Sequence, residues 1–127
     1  MATILIVDDS SFTQDFLGQV VGSLGHDAVA CAASCDALKR VIMDRRPMLA
    51  IIDENAMDSV KEAFCWALAN LELEIPLALL SVNADSVRGG GVDYSGLFQI
   101  VRATLAAFLE DCESEDNEPG WDRSSTN

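Results

Sequence analysis

At 127 residues the chain is sized for one domain with a core of its own. Half of it is apolar, yet no apolar run approaches the roughly 18 residues that span a bilayer, and the opening residues lack the basic start of a secretory signal. The formal net charge of −13 argues against nucleic-acid backbones and anionic membranes as direct partners.

Thr3-Ile4-Leu5-Ile6-Val7 is rich in β-branched residues and ends at Asp8-Asp9, which predicts a buried strand with acids at its carboxyl end. Ser10 or Ser11 can cap the next helix, whose inner positions are Phe12, Phe16, Leu17, Val20, Val21 and Leu24, and Gly25 is a natural stop. His26 falls in the following turn and is expected to be solvated. Asp27–Cys31 reads as a short, weaker strand. Ser34 caps a helix that turns Leu38, Val41 and Ile42 inward and ends at Arg45-Arg46, a favourable place for cations, before Pro47 closes it.

The run Met48-Leu49-Ala50-Ile51-Ile52 leads directly into Asp53-Glu54-Asn55. A short apolar segment bounded by a breaker predicts a strand buried on both faces, as in a parallel sheet. Asp58 or Ser59 then starts a helix with Val60, Ala63, Phe64, Ala67, Leu68 and Leu71 inside. Pro76 precedes a fourth strand, Leu77-Ala78-Leu79-Leu80-Ser81. The last helix is expected from about Ser95 to Glu110. Strands alternating with helices through short connections predict an α/β fold, a doubly wound parallel sheet with helices on both faces.

The pattern breaks between Ser81 and Ser95, where thirteen residues include Gly89-Gly90-Gly91. That is short for another helix plus another strand, so a glycine loop with one helical turn, Ala84 to Val87, is the simplest description. The expected organisation is a domain over 1–110 and an acidic tail over 111–127. From Glu110 onward seven acids face one Arg123, a composition typical of disorder. Four cysteines without a CxxC pair, and a single histidine, argue against a Cys/His zinc site; reduced, mostly buried thiols in a cytoplasmic protein are the plainer reading.

Asp8, Asp9 and Asp53 thus sit at the carboxyl ends of two strands that should be neighbours, where open α/β sheets place their ligand crevices. Hard oxygen ligands of this kind suit Mg²⁺, which takes one or two carboxylates, several waters and phosphoryl oxygens. Ser81 would point a hydroxyl at the same crevice. The plainer alternative makes these acids helix caps and loop residues, since Asp is common at strand–helix junctions.

With those residues placed, the chain resembles the response-regulator receiver domain family, through Ile4-Leu5-Ile6-Val7-Asp8-Asp9-Ser10, Leu49-Ala50-Ile51-Ile52-Asp53-Glu54-Asn55 and Leu79-Leu80-Ser81. The resemblance covers about residues 2–81 and resumes at the last helix, with the fourth helix and fifth strand of the family lacking or reduced. It implies the flavodoxin-like receiver fold, with Asp53 as phosphoacceptor and Mg²⁺ ligand beside Asp9 and, mainly through water, Asp8. By the same resemblance, the backbone carbonyl of Asn55 is a further ligand and Ser81 hydrogen-bonds the phosphoryl oxygen. The donor would be a histidine kinase or a phosphotransfer protein, and phosphorylation would act as a population-shifting ligand on a two-state surface.

The departures matter as much. The family's lysine at the end of its fifth strand has no counterpart, since Gly91-Val92-Asp93-Tyr94 stands there; Arg88 is a poorly fixed substitute and Tyr94 a poor aromatic switch. Ala56-Met57-Asp58-Ser59 replaces the usual Pro-Gly, and Val82 follows Ser81 where a small residue is usual. A shortened segment would uncover Leu77, Leu79 and the face around Phe64 and Leu68, which predicts a homodimer through that surface, the alternative being that the final helix and tail fold back over it. Two readings follow: an atypical single-domain receiver phosphorylated on Asp53, or a degenerate receiver acting as an interaction module without phosphoryl transfer. A phosphatase of similar layout would need an acid at position 55, which is Asn55.

Overall fold

The structure is a computed structural model and describes residues 2–54, 56–80 and 94–114. The elements are β1 (Thr3–Val7), α1 (Ser11–Ser23), β2 (Asp27–Cys31), α2 (Cys35–Arg45), β3 (Leu49–Asp53), α3 (Asp58–Leu71), β4 (Leu77–Leu80) and α4 (Tyr94–Ser114). The four strands form one parallel sheet in the order β2-β1-β3-β4.

Alternation along the strands splits the core into two layers. Ile4, Ile6, Leu49, Ile51, Ala78 and Leu80 face Phe16, Leu17, Val20 and Val21 of α1 and Leu97, Val101, Leu105 and Leu109 of α4. Leu5, Val7, Ala50 and Ile52 face Leu38 and Ile42 of α2 and Val60, Phe64 and Ala67 of α3. The sheet is therefore doubly wound, as the uninterrupted apolar strands require. A strand such as Ile4-Leu5-Ile6-Val7, buried on both sides, drives this arrangement at roughly 1.5–3 kcal/mol per large side chain.

Local signals set the ends of the elements. The Ser10 hydroxyl accepts from the Thr13 amide at 3.4 Å and caps α1, and the Ser34 hydroxyl accepts from Ala37 at 3.5 Å and caps α2. Gly25 takes φ +85° just beyond α1, a backbone state that a side chain resists. Arg46 closes α2 in the left-handed region with φ 48°.

Four details differ from the sequence expectations, beginning with the thiols: Cys31 is buried, but Cys35 is only partly so and Cys65 is exposed. The last helix begins at Tyr94 and continues to Ser114, past the expected stop at Glu110. His26 is not simply solvated: it is partly buried, and its Nδ1 accepts from the Ala2 amide at 3.1 Å while Asp27 donates to the Ala2 carbonyl at 2.8 Å. The imidazole thereby pins the start of β1 to β2. The face around Phe64 is also covered. Phe64 is 1 % exposed, Leu68 and Leu77 are partly buried, and Leu79 alone of that group stands out at 45 %. Packing of α3 against α2 supplies the cover. The segment with Gly89-Gly90-Gly91, Arg88 and Val82, and the tail beyond residue 114, lie outside the described residues.

Candidate functional site at the carboxyl edge of the sheet

Strand register decides which acids meet. Val7 is paired with Ile52, so Asp8 leaves the sheet at the level of Asp53 on the neighbouring strand. Asp53 in turn is paired with Leu80, the residue before Ser81. The Asp8 amide donates to the Cys31 carbonyl at 3.1 Å and extends the β1–β2 ladder by one rung.

Each acid is held by backbone around it. The Asp8 carboxylate (Oδ1) accepts from the Ser10 amide at 2.7 Å, and the Gln14 side-chain amide donates to the Asp8 carbonyl, so the turn into α1 is tied from both sides. The Asp9 carboxylate (Oδ1) accepts from the Ala33 amide at 2.9 Å, joining the β1–α1 turn to the β2–α2 turn. Asp53 ends β3 partly buried, its carbonyl accepting from the Ala56 amide at 2.9 Å. The next residue donates its amide to the Leu80 carbonyl at 3.0 Å, and its own carbonyl, that of Glu54, accepts from Lys61 Nζ at 3.3 Å.

Burial pushes the Asp8 carboxyl above the ordinary carboxylate range; the Ser10 amide opposes this, while the charges of Asp53 and Asp9 add to it. The three acids therefore share one electrostatic environment. Cys31 lies beside it, 7 % exposed, its thiol pushed up by burial and then by Asp9 and donating to the Ala32 carbonyl at 3.3 Å. A thiol so held is a packing group rather than a nucleophile.

The donor set fits Mg²⁺ in chemistry: hard oxygens, and one carboxylate whose ionisation its neighbours disfavour. The collected geometry is looser. Among the described residues no three acids, cysteines or histidines stand close enough to hold a metal ion, and one oxygen each of Asp8 and Asp9 accepts from a backbone amide. Asn55 and Ser81 lie outside the described residues. Sequence reasoning missed the Ala33 amide on the Asp9 carboxylate and the side chains of Gln14 and Lys61 on the backbone carbonyls of Asp8 and Glu54; none carries a motif, and only the first turn of α3 after a strand-end acid hints at Lys61.

The architecture is shared with solved structures. Anti-anti-sigma factor PhyR from Bartonella quintana matches with a TM-score of 0.57 at 18% identity, over 91% of this chain and 51% of that one. The chain has a receiver-like fold. The signal receiver domain of a modulated diguanylate cyclase from Desulfovibrio desulfuricans G20, described as an example of alternate folding, matches with a TM-score of 0.56 at 22% identity, over 87% of this chain and 91% of that one. The receiver domain of the PhyR response regulator from Erythrobacter litoralis matches at 0.53 and 19% identity, over 82% and 89%. The chain thus spans about half of the Bartonella protein but nearly all of the isolated receiver domains. No family model matches the sequence, and no curated protein does. Relative to the five-stranded layout that the resemblance implies, four strands are described here, and β4 follows β3 with Asp53 at their shared end.

Proposed function

We propose that the chain is an atypical cytoplasmic receiver that accepts a phosphoryl group on Asp53 from a histidine kinase or phosphotransfer protein and signals through protein contacts. The observation that carries this reading is the register of β1, β3 and β4, which brings Asp8 beside Asp53, with Asp8 sensing the charges of both Asp53 and Asp9. The receiver-like fold and its likeness to PhyR support a protein partner.

In this reading an Asp53 carboxylate oxygen attacks phosphorus, the bond from phosphorus to the donor breaks, and the donor leaves with the electron pair. Asp8, Asp9 and the Asn55 carbonyl would hold Mg²⁺, and Ser81 would donate to a phosphoryl oxygen. Bound there, the ion would supply charge neutralisation and polarise the phosphoryl group. The chain's own residues do the rest: the Ser10 and Ala33 amides orient the two acids, and the ladder bond from Glu54 to Leu80 fixes where Asp53 ends.

One observation favours the second reading, a phosphorylation-independent interaction module: the Asp8 and Asp9 carboxylates each already accept a backbone amide hydrogen bond. Incubation with Mg²⁺ and acetyl phosphate or beryllofluoride, read by intact mass and by tryptophan fluorescence, separates the two. An adduct that Asp53→Asn abolishes supports the receiver. No adduct and no Mg²⁺ response supports the module. The dimer expected through the face that includes Leu79 is tested by sedimentation, where a stable monomer at micromolar concentration counts against it.

A further inference from the structure

Asp8 at the acid edge feels the charges of Asp53 and Asp9, and a phosphoryl group on Asp53 would replace its single carboxylate charge with roughly two. A single divalent ion offsets only part of that charge, so the edge needs a cation from the chain itself. Lys39 is taken up by Asp36 within α2 at 3.7 Å, and Arg102 donates to the Ser23 hydroxyl and carbonyl at the far end of α1. Arg45 and Arg46 close α2 just before β3 begins, at the opposite edge of the sheet.

Lys61 stands differently. It lies in the first turn of α3, shortly after Asp53 in the chain, and is partly exposed. Its Nζ is parked 3.3 Å from the carbonyl of Glu54, one residue beyond the proposed phosphoacceptor. A neutral carbonyl is a modest partner for an ammonium, and that bond uses one of three N–H donors. A phosphoryl group on Asp53, the residue before Glu54, would be a stronger acceptor for that ammonium than the carbonyl it now meets.

We propose that Lys61 is the chain's own counter-cation for the phosphoryl group on Asp53, moving its ammonium from the Glu54 carbonyl onto a phosphoryl oxygen. This rests on the reading of Asp53 as phosphoacceptor. Asp53 attacks the phosphorus of acetyl phosphate, the phosphorus–oxygen bond to the acetyl group breaks, and acetate leaves with the electron pair; Lys61 takes no part in the bond changes. Lys61 acts on the charge that develops at phosphorus, and its partial exposure keeps its effect below the ~10²–10³-fold of a fully buried donor.

The test is a time course of the intact mass of the full chain with Mg²⁺ and acetyl phosphate, for the wild type, Lys61→Met and Lys61→Arg, with the melting temperature of each. The expected result is an adduct on the wild type, formation about tenfold slower in Lys61→Met, near wild-type rates in Lys61→Arg, and similar melting temperatures. Equal rates in Lys61→Met and wild type overturn the role of Lys61 and leave Asp53 as phosphoacceptor. A Lys61→Arg variant as slow as Lys61→Met overturns the charge role in the same way. No adduct on the wild type removes the Asp53 reading, and the Lys61 proposal falls with it.

Discussion

The carboxylate of Asp9 accepts a 2.9 Å hydrogen bond from the amide of Ala33, twenty-four residues away, and so ties the turn after β1 to the turn before α2. A ligand that claims Asp9 therefore competes with the turn that launches α2. Charge-assisted bonds of this kind are stronger than neutral ones, though solvent at this exposed site reduces the gain. Asp9→Ala is expected to lower stability in the absence of Mg²⁺ by about 0.5–1.5 kcal/mol and to speed amide exchange at Ala33. Urea unfolding and hydrogen exchange check both; unchanged protection at Ala33 would remove the link.

Asp8 makes stability depend on pH in an unusual direction. Its folded-state pKa lies above its unfolded value, because burial, Asp53 and Asp9 outweigh the Ser10 amide. The folded state therefore binds the proton more tightly than the unfolded chain does. The contribution is fully present below the unfolded value of 3.8 and is lost as pH rises through the raised folded value. At neutral pH an ionised Asp8 is thus a destabilising group, by less than about 1 kcal/mol given solvent screening. Asp8→Asn is expected to be more stable than the wild type at pH 7 and to flatten this part of the profile, as measured by chemical unfolding between pH 3.5 and 7.5. A variant less stable than the wild type at pH 7 contradicts it.

Phe16 joins α1 to the last helix. Its ring is 2 % exposed, stacks with Phe12 at 6.2 Å and meets Phe98 of α4 edge-on at 6.0 Å. Removing it leaves a cavity between the two helices and the sheet. Phe16→Ala is expected to cost about 3–5 kcal/mol, while Phe16→Leu costs less because most of the volume stays. Denaturant midpoints at constant slope measure the difference. A loss under 1 kcal/mol would show that α4 is not packed through this ring.

Much of this architecture was readable before any coordinates. Ile4–Val7 and Leu49–Ile52 are apolar without alternation, and such strands can be satisfied only by cover on both faces; Ser10, Ser34, Gly25 and Pro47 mark local backbone events that depend on nearest neighbours. The acids Asp8 and Asp53 stand out for the same reason, since a charge directly after a buried run needs an explanation. The role of His26 is not legible in the sequence, because its acceptor role depends on the Ala2 amide, which reaches it only when β1 and β2 pair.

Chain order alone thus determined the strand-and-helix alternation, the two-faced core and the candidacy of the strand-end acids, because each follows from short-range patterning and the cost of exposing apolar surface or burying charge. Tertiary structure decided the register that sets Asp8 beside Asp53, the Asp9–Ala33 bond, the cover over Phe64 and the resting place of Lys61 on the Glu54 carbonyl. Those are meetings between groups far apart in sequence or on separate elements. Their energies depend on distances that no linear pattern encodes.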